Sequence, residues 1–392
     1  MRIFINTLGN WSVLILFLGV IMVKAEDTIE KKNASSAVDF NLLLEPIWGG
    51  TTIYEESLFF SEKTDGKEIK ANLLFFPEKI ISVKSANGKL VFEEGIDYSV
   101  DKTRGTLTVL KGSKIPTKTL KEMYPPANSD LPKYGHKRGD SSTFLIFGEG
   151  TFFHDLQVVV TYTHNNNVWQ GYKPTFSGDK LPKTMAKLKS KDSFKVCLSG
   201  DSISQGYNAS GFTKAQPYLP PYGNLVIFGL EKIRGAKIDF KNFAIAGWTA
   251  SNGVANAEKI ALEKPDLVLI AYGMNDSGSS TPEVFLANIK KIMSTIKDAS
   301  PEVEFILVSP MLPNAEWHNP KLERFPAYRD ALASICGDGV VLADMTSIWD
   351  ELLKRKSFHD LTGNGVNHPN DFGHRIYAQV ILALLTEAKR SN

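Results

Sequence analysis

The sequence predicts two folded parts: an all-β, sandwich-like domain over residues 26–180 and a three-layer α/β/α domain over 190–392. Three observations carry this. The 392 residues exceed the length of a typical single domain. The first part is built of short β-branched and aromatic runs punctuated by Gly, Pro and Asn. In the second part apolar strand-like runs alternate with amphipathic helical stretches, the pattern of a parallel sheet covered on both faces.

Residues 1–25 stand apart from both. Arg2 gives a positive start, residues 13–23 form an unbroken apolar run, and Val23-Lys24-Ala25 offers a cleavage site, which together predict an export signal peptide. The run is shorter than the roughly 20 residues needed to span hydrocarbon, so no stable membrane anchor is expected once the leader is removed. The expected location is the periplasm or the cell exterior. A net charge of +2 gives no reason to invoke nucleic acid.

Within the β-rich part, Lys79–Val83 and Lys89–Phe92 flank the turn pair Asn87-Gly88 and predict a hairpin. Strands are also predicted over Thr106–Leu110, Ser142–Phe147 and Leu156–Tyr162. The stretch from Lys173 to Lys191, with Pro174, Gly178, Pro182 and six lysines, reads as a polar connection into the second part. Beyond it, strands are predicted over Phe194–Ser199, Ile238–Ile245, Asp266–Tyr272, Glu304–Ser309 and Val340–Ala343. Thr281-Pro282-Glu283 starts a helix with a capping hydroxyl and a first-turn proline, and Gly235 and Gly337 mark helix stops. Ile376, Tyr377, Val380, Ile381, Leu384 and Leu385 form one apolar stripe on the last helix, as sheet packing requires.

Chemistry gathers where this sheet should end. Ser202, in Gly200-Asp201-Ser202-Ile203-Ser204, follows the first predicted strand, and Gly247 and Asn275 follow the second and third. In an open parallel sheet such positions converge beyond the strands' carboxyl ends. Taken singly, Ser202 reads as a helix N-cap, Gly247 as a positive-φ position and Asn275 as an Asx-turn. A Gly-x-Ser-x-Gly elbow is excluded because Ser204 stands where its second glycine would be.

The Gly-Asp-Ser block, the isolated Gly247, Gly273-Met274-Asn275-Asp276 and the late His368-Pro369-Asn370 together resemble the SGNH, or GDSL-like, hydrolase family, from about Lys195 to the end of the chain. The resemblance implies a flavodoxin-like fold for the second part and serine esterase chemistry. It also implies Ser202 as nucleophile, His368 as general base, and an oxyanion hole made by the amides of Ser202 and Gly247 and the side chain of Asn275. The family's pattern places an aspartate three residues before the histidine, and here that position is Gly365. Two groups are then candidates to orient the imidazole: Asp360, folded back through a glycine-rich turn, or a backbone carbonyl. Asp371 is expected to cap the last helix.

No cofactor and no metal is expected, since His318, His359, His368 and His374 lack metal-ligand spacing and His374 reads as a partly exposed helix residue. Cys197 and Cys336 fall in apolar stretches, as buried thiols do. By analogy with the family, the expected substrate is an acylated, chiefly acetylated, carbohydrate. Trp248, Tyr218 and Tyr222 are candidate platforms for sugar rings, with ordinary packing as the alternative. The β-rich part, with Trp48, Trp169 and Tyr172, reads either as a carbohydrate-binding module or as a structural cover for the catalytic part. The competing functional readings are a lipase or thioesterase on the same fold, and a noncatalytic glycan-binding protein.

Overall fold

The computed structural model describes residues 40–63, 66, 68–165 and 169–387. The predicted leader lies outside the described residues. The described residues from Leu44 onward form one compact unit.

Among the described residues the β-rich part contains eight strands: β1 (Thr52–Phe59), β2 (Lys70–Asn72), β3 (Pro77–Ser85), β4 (Tyr98–Asp101), β5 (Thr106–Val109), β6 (Lys133–Lys137), β7 (Asp140–Ile146) and β8 (Gln157–His164). They form antiparallel sheets in the orders β1-β8-β3 and β2-β5-β4, plus the β6-β7 hairpin. The central β8 buries both faces over most of its length, which suits its run of Val158, Val159 and Val160. The predicted hairpin at Asn87-Gly88 turns as expected, with Gly88 at φ +70°. Its second arm is not a full strand. Residues 89–92 pair with β3 only through the Lys84–Val91 bridge, because the chain leaves the sheet at Glu93, whose carbonyl receives the amides of Ile96 and Asp97.

The second part is built on a five-stranded, all-parallel sheet: β9 (Lys195–Gly200), β10 (Asp239–Asn242), β11 (Leu267–Ala271), β12 (Glu304–Val308) and β13 (Val340–Ala343). Their order is β10-β9-β11-β12-β13. This is the flavodoxin-like arrangement, whose winding reverses between β9 and β11 and opens a crevice beyond their carboxyl ends. β10 is shorter than predicted: past Asn242, whose side chain takes the Ala244 amide at 2.9 Å, the chain stays beside β9 only through the amides of Phe243 and Ile245, which donate to the Leu198 and Gly200 carbonyls.

Helices 250–262, 282–299 and 324–333 form one covering layer, and their apolar residues share a core with Cys197, Val268, Ile270, Phe305 and Leu307 of the strands. Thr281 caps the 282–299 helix through the Val284 amide at 3.4 Å, and Gly235 ends the 222–234 helix at φ +65°. Gly337 does not end a helix, since the preceding one stops at Ala333. Helices 222–234 and 371–385 pack together in the opposite layer.

The last helix is buried all round, beyond the single stripe its pattern predicts. Arg375 donates to the Tyr54 carbonyl at 2.6 Å, and the Gln379 side chain accepts from the Ile47 amide at 3.3 Å, so the β-rich part covers the face away from the sheet. Among the described residues no helix is long and apolar enough to cross a membrane.

Candidate active site

Ser202 opens the short helix Ser202–Gln205 directly after β9. Asp201, in extended backbone, is the N-cap and accepts the Ile203 amide at 3.0 Å, so Ser202 is freed from the capping role its position suggests. The turn is tight. A Cβ at Gly200 would lie 2.3 Å from Ser204 Oγ and 2.7 Å from the Ala271 carbonyl. Gly206, at φ +111°, ends the helix after one turn.

His368 is held by its own loop. Asn364 Oδ1 accepts the amides of Val366, Asn367 and His368 at 3.0–3.1 Å, and the Thr362 hydroxyl donates to the His368 carbonyl at 2.9 Å. From this loop His368 Nε2 lies 2.9 Å from Ser202 Oγ, and Nδ1 lies 2.8 Å from Asn208 Oδ1.

The hydrogen-bond network fixes the protons. Asn208 Nδ2 faces two carbonyls, Gly150 O at 3.2 Å and Gly363 O at 3.0 Å, so the amide nitrogen must lie on that side and the oxygen must face the ring. An oxygen acceptor at Nδ1 requires the proton on Nδ1. Nε2 then carries a lone pair and accepts from the Ser202 hydroxyl. A carboxylate completes the surroundings: Glu149 Oε1, on the loop after β7, lies 3.4 Å from Nδ1 and accepts from Asn364 Nδ2 at 3.0 Å.

Asp360 is not the orienting group. It is buried, with one oxygen on the Phe59 amide at 2.7 Å and the other on the Ser357 amide at 2.8 Å, beside the Lys356 ammonium at 3.5 Å. Burial pushes its carboxyl up, against the opposing pull of Lys356 and these amides. Asp371 does not cap the last helix either. Asn370 does so through the Gly373 amide, while Asp371 takes the Ser210 amide at 2.7 Å.

Gly247 is exposed at φ +80°, and a Cβ built there would meet nothing within 4 Å. It is placed by its neighbours: the Ile245 amide bonds the Gly200 carbonyl, and the Ala246 amide bonds Gln205 Oε1 at 2.8 Å. Asn275 uses one amide hydrogen on the Trp248 carbonyl at 2.9 Å, which leaves its second. Among the described residues no acceptor meets the amide of Ser202 or Gly247. Beneath them, Asp276 accepts the amides of Ala250 and Gly273 and ties the two loops together. Burial pushes Asp276 up to about 6 and Asp201 to about 7, in each case against the backbone hydrogen bonds.

The aromatic candidates divide. Tyr218 is exposed, with its backbone at φ +62°. Tyr222 is fully buried with its hydroxyl 2.7 Å from Ser204 Oγ, and so is a packing residue. Trp248 is half-buried against the helical core. In the β-rich part Trp48 is half-buried and Trp169 is buried, its indole donating to the Tyr172 carbonyl at 3.0 Å; Tyr172 is exposed. Buried Trp169 is unavailable as a sugar platform.

His318 stacks on His136 with ring centroids 3.5 Å apart, and the His359 ring lies 5.5 Å from that of Phe59. His374 is completely buried rather than partly exposed, because the chain around Tyr207 and Tyr222 closes over it. Cys197 and Cys336 are free thiols. Among the described residues no group of three or more His, Cys, Asp or Glu is placed to hold a metal ion.

Sequence reasoning missed Asn208 and Glu149. Asn208 lies 160 positions from His368, and its one local signal is an asparagine in left-handed backbone, φ +62°, after a helix-ending glycine.

Residues 198–376 match the GDSL-like lipase/acylhydrolase family. No curated protein matches the chain. Among solved structures the chain is similar to a two-domain esterase active on acetylated mannans, at 23% identity and a TM-score of 0.44, covering 57% of this chain and 58% of that one. It thus spans little more than half of that structure. A carbohydrate esterase family 3 protein from Talaromyces cellulolyticus is similar at 19% identity and a TM-score of 0.37, over 48% of this chain and 94% of that one. A G-D-S-L family lipolytic protein from Veillonella parvula is similar at 17% identity and a TM-score of 0.40, over 48% and 97%. With the parallel sheet, the Gly-Asp-Ser turn and this match in place, residues 198–376 form a domain of the GDSL-like lipase/acylhydrolase family.

Proposed function

We propose that this chain is an exported serine esterase that removes short acyl groups, chiefly O-acetyl, from carbohydrates. The observation that carries the reading is the Ser202–His368 pair, 2.9 Å apart, with the imidazole held in the tautomer that leaves Nε2 free to accept. Nε2 takes the hydroxyl proton as Ser202 Oγ attacks the ester carbonyl. The carbonyl oxygen gains negative charge between the amides of Ser202 and Gly247 and the free hydrogen of Asn275. Each such donor lowers the barrier by about 3 kcal/mol. His368 then protonates the leaving alcohol, and the acyl group stays on Ser202. A water molecule, deprotonated at Nε2, attacks the acyl-enzyme and releases the acid.

Short acyl groups suit the polar segment after the nucleophile, Gln205 to Ser210, better than long chains do. The exposed ring of Tyr218 offers a flat face for a sugar. Ser202→Ala is expected to abolish acetate release from 4-nitrophenyl acetate and from acetylated glycans with the fold intact. Wild-type turnover in that variant would remove Ser202 from the mechanism, and activity on esters without any on acetylated glycans would remove the carbohydrate.

A further inference from the structure

We propose that Glu149, carried by the β-rich part, is a positioning residue for His368 and supplies the negative charge that the family's usual aspartate would supply from position 365. The inference rests on the reading of Ser202 and His368 as nucleophile and base.

Position 365 has no room for a side chain. Its backbone stands at φ +97°, and a Cβ would lie 2.4 Å from the Ile146 carbonyl and 2.9 Å from the Phe153 ring. Both obstacles belong to the β-rich part, at the end of β7 and just beyond it. That segment therefore occupies the space of the missing acid, and it returns one within five residues. The Gly148 amide bonds the Asn364 carbonyl at 3.2 Å, Glu149 Oε1 reaches Asn364 Nδ2 and His368 Nδ1, and the Gly150 carbonyl receives Asn208 Nδ2. Residues 146–150 thus hold the histidine loop and the residue that orients the ring.

Asn208 and Glu149 divide the work. Nδ1–H has one proton to give, and Asn208 Oδ1 at 2.8 Å is nearer than Glu149 Oε1 at 3.4 Å. The neutral amide fixes tautomer and ring orientation. It cannot offset the positive charge the ring acquires when it takes the serine proton, and the adjacent carboxylate can. Burial pushes the Glu149 carboxyl up, but the hydrogen bond and charge of His368, with Asn364 and Asn208, outweigh it and hold the group below the usual carboxylate range. The other titratable side chains beside the ring are Tyr207, with ring centroids 5.2 Å apart, and buried His374, which burial keeps neutral. Among the described residues Glu149 is the one carboxylate paired with the ring, so it is the counter-charge.

Glu149→Gln tests this, because an amide oxygen still accepts from Asn364 while the charge is lost. With 4-nitrophenyl acetate, kcat is expected to fall about tenfold with KM and melting temperature unchanged, the acid limb of kcat/KM to move about half a unit to one unit lower in pH, and Glu149→Asp to recover part of both. A folded Glu149→Gln protein with wild-type kcat, or with reduced kcat and an unmoved acid limb, would overturn the proposal. Substrate-free NMR titration of the His368 ring, identified by its loss in His368→Gln, separates this from the esterase reading. Its midpoint is expected at lower pH in Glu149→Gln than in wild type whatever the enzyme hydrolyses, and coincident midpoints refute the inference. Loss of esterase activity altogether, with the midpoints still separated, would refute only the esterase reading.

Discussion

Glu56 of β1 and Lys356, which follows the 345–353 helix, form an ion pair with both side chains fully buried, Nζ to Oε1 2.5 Å. The pair joins the β-rich part to the α/β part. Its remaining valences are filled: Lys356 also donates to the carbonyls of Ser57 and Asn72 at 3.1 and 2.8 Å, and Glu56 Oε2 accepts from the Tyr162 hydroxyl at 2.6 Å. A buried pair so satisfied is tolerated, whereas removal of one partner strands a charge in the core.

Lys356→Met is therefore expected to destabilise the protein by about 3–5 kcal/mol, and Glu56→Gln combined with it by less than the sum of the single changes. Urea unfolding of the single and double variants measures this. A Lys356→Met protein with an unchanged midpoint would show that the pair does not tie the two parts together.

Gly365→Asp restores the residue type usual in the family, yet is expected to harm this protein. The side chain would meet the Ile146 carbonyl and the Phe153 ring from left-handed backbone, a combined penalty of about 2–5 kcal/mol. A lowered melting temperature with no gain in kcat is the expected outcome. A stable and more active variant would contradict the packing described for β7.

His374 is expected to contribute stability near neutrality that is lost in acid. Its Nε2 faces the Tyr207 carbonyl at 3.0 Å and its Nδ1 accepts from the Tyr222 amide, so a second proton would meet an N–H donor. Burial chiefly pushes its pKa down to about 4 from the ordinary 6.5, with the hydrogen bond to the Tyr207 carbonyl opposing and His368 adding to the fall. Between those values the unfolded chain binds a proton that the folded chain refuses. The contribution, about 3 kcal/mol, is complete above pH 6.5 and lost as pH falls towards 4. Asp201, raised to about 7 by burial, acts with the opposite sign over the same window, so the wild-type profile alone does not isolate the histidine. The stability difference between wild type and His374→Gln does. It is expected to shrink from pH 7 to pH 4, and a constant difference in denaturant melts would exclude His374 as the acid-labile group.

Local pattern made much of the architecture readable. The apolar runs Val196-Cys197-Leu198 and Leu267 to Ala271 announce buried parallel strands because both faces of such strands are covered. The edge strand β10 and the second arm of the first hairpin came out shorter than their residues suggest. The hairpin arm is ended by turn bonds to the Glu93 carbonyl that compete with the ladder, whereas past Asn242 the amides of Phe243 and Ile245 still reach β9 although the regular strand has ended. Tyr222 and Trp169 carry the same aromatic label as Tyr218, and nothing near them in sequence tells a buried ring from an exposed one.

The sequence by itself determined the sheet, its helical covers and the strand ends at which Ser202, Gly247 and Asn275 stand, since hydrophobic period and turn chemistry act over a few residues. The tertiary structure alone decided what meets His368 Nδ1. Asn208 and Glu149 come from distant parts of the chain, and their roles arise from packing. The end of β7 fills the space beside Gly365, and the loop that follows it brings a carboxylate back to the ring.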